Sequence, residues 1–492
     1  MLMLFNTIDF IIFFIVILGV FVLIKNRKFQ HVFLLLASYF FFYYTSNYLI
    51  TLLIFTTIWD YYFGKAIWNA DNIQRKKILL ICSLAGNLGL LGFFKYTDFA
   101  ITQFNFFGHY FDLGHQIPLL NLALPIGISF YTFHSITYTV GIYRGQLSPV
   151  KSFTDYAIFV AFFPQLVAGP ILRAKDFLPQ LREKIDGLEV GTQFRRIVIT
   201  NANLKIGITL MAIGFFKKMV IADNISPMVG DVFNAPIGVD SFTIILGSIA
   251  FGIQIFCDFS GYTDIALGAA AILGFKMPIN FNKPYFATSP SDFWRKWHIS
   301  LSSWLRDYLY IPLGGSHKSK TRTYLNLFIT MFLGGLWHGA SWNFVLWGIL
   351  HGVYLASHKF IVDKFPLLGN AKFFKTKLGW LVSLLITQYL VFLAWIPFRV
   401  QNVDFMKYSM MKYVLVDFHT SSTLNFILSH RFHIVIMVGF VILHIISYKI
   451  PHLRERISNV KLRYWLVFLV GIMLCVFFSY EGNPEAFLYF KF

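Results

Sequence analysis

The stretch GGLWHGASWNFVLWGILHG, from Gly334 to Gly352, is the most informative part of this chain. It lies inside an apolar run from about Tyr324 to Ser357 that contains no lysine, arginine, aspartate or glutamate. The stretch nevertheless contains two imidazoles, His338 and His351, and one amide, Asn343. An ionisable side chain where hydrocarbon is expected indicates function, because the bilayer penalises it. The sequence therefore predicts that His338 belongs to a functional site within a membrane protein.

The apolar run around this stretch is too long for one straight transmembrane helix. At the α-helical rise it would extend about 50 Å, whereas the hydrocarbon core of a bilayer is about 30 Å thick. We therefore expect the run to tilt strongly, break or re-enter. Its glycines provide the places to do so: Gly334, Gly335, Gly339, Gly348 and Gly352.

The composition of the 492-residue chain is that of a membrane protein throughout. Hydrophobic residues make up 57% and aromatic residues 19%, and only 13% are charged, whereas soluble domains carry about 25% charged residues. Apolar segments of spanning length recur from one end to the other. We predict an all-α integral membrane protein with about ten to twelve transmembrane helices plus re-entrant or interfacial helices.

The formal net charge of +19 has a topological explanation. Lysine and arginine collect in short loops beside the apolar segments, at 25–28, 74–77, 317–322, 372–377 and 453–463. This is the positive-inside pattern of membrane proteins. Because no basic stripe is interleaved with aromatics in a polar segment, nucleic-acid binding is excluded.

The first apolar segment, residues 8–24, has no positive charge before it and KNRK directly after it. No small-residue cleavage site follows, so it reads as an uncleaved span with the N-terminus outside. The cysteines, Cys82, Cys257 and Cys475, lie in apolar surroundings without CxxC spacing. They are interpreted as packing residues, and no metal site is expected.

Polar side chains interrupt two further apolar segments. FFPQLVAGPILR, residues 162–173, contains Gln165 among two prolines and a glycine, which fits either a kinked packing helix or a cavity lining. In CDFSGYTDIALGAAAILGFKMP, residues 257–278, Asp258 and Asp264 flank a Ser-Gly pair that we interpret as a break. Two aspartates there need a paired or aqueous environment, unless they face a loop at the membrane surface.

The segment 280–315 combines charges with many aromatics and is typical of an interfacial or re-entrant helix. Residues 288–292, TSPSD, predict a helix start with proline and an acid in the first turn. Arg295 and Lys296 lie on the polar side of the predicted helix, and His298 follows Trp297.

The residues around His338 suit the transfer of an acyl group from a thioester to a hydroxyl. That reaction needs a base for the hydroxyl proton, donors for the oxyanion and the exclusion of water. Imidazole is a natural base near neutral pH, and Trp337 and Asn343 carry N–H donors. The alternative is that each histidine only bonds a neighbouring helix. On one continuous helix, His338 and His351 would lie about 20 Å apart, so one catalytic and one supporting residue is the simpler interpretation.

Several motifs together resemble the membrane-bound O-acyltransferases, in the bacterial branch that modifies alginate and peptidoglycan. They are FFPQLVAGPILR, FCDFSGYTDIALGAAAILGF, FWRKWHISLSSWLRDYLYIPLGG, WHGASWNFVLWGILHG and AWIPFRV. The resemblance covers most of the chain, and it places the motif-bearing core of a single domain, residues 1–492, at about 121–400.

The resemblance implies a ring of helices around a central tunnel, with His338 midway along it as general base. It implies that an acetyl group from cytoplasmic acetyl-CoA passes to an extracytoplasmic glycan, with no resident cofactor. His298, His351, Asn343, Trp337, Asp258, Asp264 and Gln165 are the candidate supporting or tunnel-lining residues. Arg295 and Lys296 are candidate contacts for the coenzyme A phosphates, although cytoplasmic loop topology also accounts for such cations.

We expect a bacterial inner-membrane protein that works with a periplasmic, esterase-like partner on a glycan acceptor. Two alternatives stay open. One is a proton-coupled transporter or flippase in which Asp258, Asp264 and His338 form a pathway. The other is a non-catalytic scaffold of an exopolysaccharide export complex.

Overall fold

The computed structural model describes residues 3–112, 114, 116–166, 169–185, 189–365, 372–417, 421–480 and 487–488. These residues are mostly helical, which confirms the predicted all-α membrane fold. Seven described helical segments are long and apolar enough to cross a bilayer: Arg27–Asn69, Ile73–Tyr110, Ser241–Ile272, Trp342–Lys364, Lys377–Arg399, Arg431–Lys449 and Leu462–Ser479. The helix Ile8–Leu23 is apolar but shorter. The predicted number of ten to twelve transmembrane helices counts shorter segments of this kind and stays a prediction. The central tunnel also stays a prediction.

By its internal contacts the chain divides into two compact units, residues 1–211 with 263–278, and residues 212–262 with 279–492. The single domain inferred from the sequence stays a prediction. The first unit contains the helices Ile8–Leu23, Arg27–Ser46, Ile50–Asn69, Ile73–Tyr110, Ile128–Tyr143, Phe153–Ala161, Phe163–Leu166 and Ala174–Phe177, and most of Asn201–Phe215. Short 3₁₀ turns connect them at Asn47–Leu49 and Leu178–Leu181.

The polar stretch after residue 173 contains a β-hairpin. Strands Arg182–Ile185 and Glu189–Phe194 pair antiparallel, with Ile185 opposite Glu189. Arg182 donates to Asp155 at 2.7 Å, and its guanidinium lies 3.9 Å from the Phe194 ring centroid. The hairpin is therefore tied to the helix Phe153–Ala161 by a long-range ion pair, which no local sequence pattern reveals.

The second unit holds the quoted stretch. Its helices are Asp223–Phe233, Pro290–Lys296, Ile299–Leu305, Lys320–His338, Trp342–Lys364, Lys377–Arg399, Val403–Val414, Ser421–Ser429, Arg431–Lys449, Leu453–Asn459 and Leu462–Ser479. Two π-helical turns, Phe216–Ala222 and Arg306–Tyr310, and 3₁₀ turns at Pro284–Phe286 and Lys372–Lys375 complete it.

The helix Ser241–Ile272 contributes its first part to the second unit and its last part to the first. It runs unbroken through Gly261, so the break expected there is wrong. A Cβ on Gly261 would lie 2.8 Å from the carbonyl oxygen of Gly214. The glycine therefore lets two helices approach closely instead of bending one of them.

The start of this helix is fixed by a carboxylate from outside the membrane-spanning segments. Asp417 accepts a hydrogen bond from the Ser241 amide at 2.9 Å and is paired with the Lys412 ammonium. Both interactions favour the ionised carboxylate, so the Lys412 ammonium and Ser241 hold the pKa of Asp417 well below its ordinary value.

Candidate active site

The apolar run around His338 folds back on itself. The helix Lys320–His338 ends at His338, and the helix Trp342–Lys364 begins after three intervening residues. Gly339 and Ser341 between them have extended backbone. The sequence-based expectation of a break in this run is thus confirmed, and the break falls directly after the candidate base.

Glycines hold the two arms of this hairpin in direct backbone contact. A Cβ on Gly335 would lie 2.4 Å from the carbonyl oxygen of Phe344 and 2.8 Å from Cα of Gly348. A Cβ on Gly339 would lie 2.2 Å from the ring of Phe344. Small residues are required wherever helix backbones approach this closely.

Aromatic rings surround His338, whose exposed fraction is only 7%. The centroid of its ring lies 4.8 Å from that of Trp347, 4.9 Å from that of Trp337 and 5.2 Å from that of Phe398. These three contacts are edge-to-face, whereas Phe344 stacks at 6.4 Å. These four aromatic rings exclude bulk water from the imidazole and fix the orientation of its plane.

His351 contacts the same tryptophan as His338. Its ring centroid lies 4.6 Å from that of Trp347 and 5.1 Å from that of Trp294. The separation of about 20 Å expected on a continuous helix is therefore wrong, because the hairpin places both histidines against one indole. Among the described residues, Nε2 of His351 has no hydrogen-bond partner.

His298 joins this cluster from a bend between two short helices. It follows the helix Pro290–Lys296, precedes the helix Ile299–Leu305, and has a left-handed φ of 42°. This conformation costs a non-glycine residue roughly 1–3 kcal/mol and is concentrated at functional sites. The single amphipathic helix expected over 280–315 is thus wrong, because this bend divides it.

The His298 side chain is 1% exposed, and its ring centroid lies 4.7 Å from that of Phe259 and 6.2 Å from that of Trp337. Neither of its ring nitrogens has a hydrogen-bond partner within the described part of the chain. Buried polar atoms are nearly always bonded, so an unpartnered pair needs an explanation, such as a substrate.

The predicted helix start at 288–292 is confirmed in detail. Ser289 caps the helix by accepting from the Asp292 amide at 3.1 Å, and Pro290 occupies the first turn. Asp292 also pairs with Lys296 at 2.8 Å, and Lys296 donates to the Phe286 carbonyl at 3.2 Å. The Lys296 ammonium is therefore engaged within its own helix and neighbouring turn, which weakens its candidacy as a phosphate ligand.

Arg295 lies on the wall of a cavity of about 430 Å³. Arg306, Ser302 and Thr330 supply further polar groups, and Trp294 and Met331 supply apolar ones. The hydrogen bond that Arg306 donates to Asp307 at 2.7 Å raises the pKa of its guanidinium above the ordinary value. The cavity thus offers two permanent cations beside an apolar wall.

Trp294 connects this cavity with the histidine cluster. Besides lining the cavity, its ring contacts Trp347 edge-to-face at 5.7 Å and contacts His351. Trp347 in turn contacts His338. Two indoles therefore separate the cavity from the candidate base.

The remaining predicted residues of the second unit have structural partners. Asn343 donates from Nδ2 to the carbonyls of Val400 and Gln401, the latter at 3.1 Å, and so holds the end of the helix Lys377–Arg399. Its donors are engaged there instead of pointing at an oxyanion. The Trp337 side chain is 8% exposed and lies between the rings of His338 and His298.

Asp258 forms the paired arrangement that the sequence required. Its carboxylate lies 2.8 Å from Nζ of Lys218 and accepts from the Leu488 amide at 2.9 Å. Lys218 lies on the π-helical turn Phe216–Ala222 and also pairs with Asp223 at 2.6 Å. The interpretation of Asp258 as a loop residue at the membrane surface is wrong, because its side chain is 2% exposed.

Asp264 and Gln165 belong to the first of the two compact units. The Asp264 residue is 2% exposed, within the helix Ser241–Ile272. Gln165 is fully buried in the short helix Phe163–Leu166, and its Nε2 donates to the carbonyl of Phe159. Among the described residues its Oε1 has no hydrogen-bond partner.

Sequence reasoning missed Trp347, Trp294, Phe398 and Lys218. A signal existed for one of them, because Trp347 and His351 are four residues apart and must share a helix face. The other three come from separate elements and are brought in only by tertiary packing.

Comparisons with known proteins agree with the motifs. The model of the membrane-bound O-acyltransferase family matches residues 145–382. The peptidoglycan O-acetyltransferase of Helicobacter pylori is 36% identical over 431 residues, which cover 82% of this chain and 78% of that protein. The "Probable alginate O-acetylase AlgI" of Pseudomonas aeruginosa is 37% identical over 393 residues, covering 79% and 70% respectively. The teichoic acid D-alanyltransferase of Bacillus subtilis is 30% identical over 254 residues, covering 49% and 61%.

Proposed function

The chain belongs to the membrane-bound O-acyltransferase family and is an O-acyltransferase, and on that premise we propose that it transfers acetyl from cytoplasmic acetyl-CoA to an extracytoplasmic glycan. The relatives act, by name, on peptidoglycan and on alginate. The final acceptor proposed here is therefore a hydroxyl of peptidoglycan or of an alginate-like polysaccharide at the cell surface. The proposed location is the bacterial cytoplasmic membrane, with the N-terminus outside.

The observation that carries this proposal is the position of His338. Its imidazole lies at the bend of the helical hairpin, enclosed by four aromatic rings, and two indoles away from a cavity with two arginines. A base held in dry, rigid surroundings is favoured for taking a proton from a hydroxyl, because little reorganisation is needed during the reaction.

The proposed reaction balances without a cofactor. His338 removes the proton of the acceptor hydroxyl while the hydroxyl oxygen attacks the thioester carbonyl carbon. The new C–O bond forms, the C–S bond breaks, and the thiolate of coenzyme A leaves. The proton held on the imidazolium returns to that thiolate, so the base is regenerated.

The cavity lined by Arg295 and Arg306 is proposed to hold the donor. Guanidinium groups form bidentate, charge-assisted hydrogen bonds with phosphate oxygens, and coenzyme A presents such oxygens. Trp294 and Met331 offer an apolar wall for the pantetheine arm, which is proposed to reach past Trp294 and Trp347 and to present the thioester at His338. The hydroxyl that is acylated at His338 is proposed to belong to a separate extracytoplasmic partner protein, esterase-like in its chemistry, which then passes the acetyl group on to the glycan.

Membrane vesicles of defined orientation test the direction of transfer. [¹⁴C]Acetyl-CoA added outside inverted vesicles meets the cytoplasmic face, and acetylated acceptor is expected only in that orientation. Label found on the acceptor only in right-side-out vesicles contradicts the proposal. Intact acetyl-CoA accumulating in the lumen, without acylated product, supports a transporter instead.

A further inference from the structure

The proposed acyl transfer needs a hydrogen-bond donor for the carbonyl oxygen of the thioester. When the acceptor hydroxyl attacks, an electron pair moves from the C=O bond onto that oxygen, and donors already in place stabilise the resulting oxyanion. Asn343 is a candidate on sequence grounds, but its Nδ2 donates to the carbonyls of Val400 and Gln401. A different donor near His338 is therefore required for this oxygen.

Trp347 carries a suitable donor next to His338. Its side chain is 1% exposed, and its ring centroid lies 4.8 Å from that of the imidazole, with the two planes at 83°. Among the described residues, its Nε1 has no hydrogen-bond partner. An indole nitrogen can only donate, and a buried indole N–H usually has a partner. We therefore expect the acceptor for this N–H to arrive with a substrate.

Trp294 has the same feature and lies closer to the cavity. It lines the cavity, and its ring centroid lies 5.7 Å from that of Trp347. Its Nε1 is also without a hydrogen-bond partner within the part of the chain that the structure describes. The two indoles between the cavity and His338 thus each present an unpartnered N–H along the path proposed for the donor. The amide and thioester carbonyls of acetyl-CoA are acceptors that match these N–H groups.

An unpartnered indole N–H does not by itself indicate catalysis in this chain. Trp59, in the first unit, also has an Nε1 without a partner among the described residues. Its ring, however, packs on Phe55 and Phe63. Trp347 differs because it contacts both the candidate base and Trp294. Trp59 is therefore a matched control for the loss of an unpartnered N–H.

We propose that Nε1 of Trp347 donates the hydrogen bond that stabilises the oxyanion during acyl transfer at His338. The N–H keeps its proton throughout. The hydroxyl oxygen bonds to the carbonyl carbon, the oxyanion accepts from the indole, and its collapse restores the C=O bond and breaks the C–S bond. The leaving thiolate receives its proton from the His338 imidazolium. The proposal rests on the proposed function, because the thioester supplies the oxygen that the indole binds.

Replacing the N–H while keeping the shape of the ring tests the proposal. 3-Benzothienylalanine at position 347 carries a sulfur atom in place of the N–H, and the same replacement at position 59 is the control. Initial rates of acceptor acetylation are measured in inverted vesicles over a range of acetyl-CoA concentrations. Loss of one oxyanion donor lowers kcat by about 10² to 10³. The analogue at position 347 is expected to show this loss with an unchanged KM for acetyl-CoA, and the analogue at position 59 is expected to match the unsubstituted protein.

An unchanged kcat for the position-347 analogue overturns the proposal. A rise in KM alone also overturns it, because the N–H would then bind the donor equally in the ground state and the transition state. Thermal unfolding in detergent is expected to give equal midpoints for the analogue and the unsubstituted protein. A lower midpoint for the position-347 analogue means that the N–H holds a neighbouring ring instead of a substrate, and this result overturns the proposal too.

His338→Ala in the same vesicles separates this proposal from the proposed function. Normal acetylation by His338→Ala means that the proposed function fails. Loss of acetylation by His338→Ala, together with a normal kcat for the position-347 analogue, means that only the assignment of Trp347 as the oxyanion donor fails.

Discussion

The rings of His338 and Trp347 meet edge-to-face, with centroids 4.8 Å apart and planes at 83°. The two residues lie on opposite arms of a helical hairpin, on either side of the break at Gly339. Trp347 also contacts His351, so this one indole aligns both histidines of the quoted stretch. The site therefore depends on the hairpin staying closed.

Closure of the hairpin is tested by two adjacent glycines. Gly335→Ala would place Cβ 2.4 Å from the Phe344 carbonyl oxygen, a backbone atom that cannot move away alone. Gly334→Ala meets only a side-chain carbon of Leu305, at 3.4 Å. Overpacking of this kind costs about 1–3 kcal/mol. Thermal unfolding in detergent is expected to show a lower midpoint for Gly335→Ala only, with reduced acyl transfer. Equal stability of the two variants would argue against backbone contact between the arms.

His298 allows its backbone strain and its imidazole to be separated. Asparagine tolerates a left-handed φ far better than alanine does. His298→Asn is therefore expected to unfold at a higher temperature than His298→Ala, whereas both lose acyl transfer by at least tenfold. The measurement is thermal unfolding together with initial rates at saturating donor. Wild-type activity in the asparagine variant would exclude the imidazole from the site.

The donor pocket is tested through Arg295. Arg295→Ala removes one guanidinium from the cavity wall, and Arg322→Ala, an exposed position on the helix Lys320–His338, is the matched control. Loss of one charge-assisted hydrogen bond of about 1.4 kcal/mol raises KM for acetyl-CoA roughly tenfold. Acetyl-pantetheine lacks the phosphates, so its KM is expected to stay nearly constant. An equal rise for both donors would mean that Arg295 does not bind phosphate.

Much of this arrangement could be predicted from the sequence. The helix start at Ser289, the break next to Gly339 and the pairing of Asp258 all follow from local patterns or from the energetics of charge in a bilayer. These features depend on a few neighbouring residues or on the cost of placing a charge in a bilayer, so the sequence alone is enough to predict them.

The predictions that are wrong share one cause, which is packing between segments that lie far apart in the sequence. The Ser-Gly pair at 260–261 predicts a break, but Gly261 instead lets the backbone of Gly214 approach closely. The predicted separation of about 20 Å between His338 and His351 requires one continuous helix, whereas the chain folds back after His338. The lysine that pairs with Asp258 is 40 residues away, at position 218. Such features arise only when distant segments pack, and a single sequence carries no record of that packing.

The pH dependence of stability has a local test at Asp417. Because the folded state lowers the pKa of this carboxyl, its ionised form stabilises the fold above the unfolded pKa of about 3.9. That contribution is lost as the pH falls through the lower folded-state pKa. The difference in unfolding temperature between the unsubstituted protein and Asp417→Asn is therefore expected to be constant from pH 7 to about pH 5 and to shrink in more acidic buffer. A difference that grows on acidification would contradict the assignment.

The most direct test of the whole account is glycan acetylation by His338→Ala, with His317→Ala, an exposed histidine, as the control. Loss of a general base lowers the rate by about 10² to 10⁴. At equal protein levels in the membrane, we expect the His338 variant to leave the glycan essentially unacetylated and the His317 variant to acetylate it normally. Full acetylation of the glycan by His338→Ala would contradict the account.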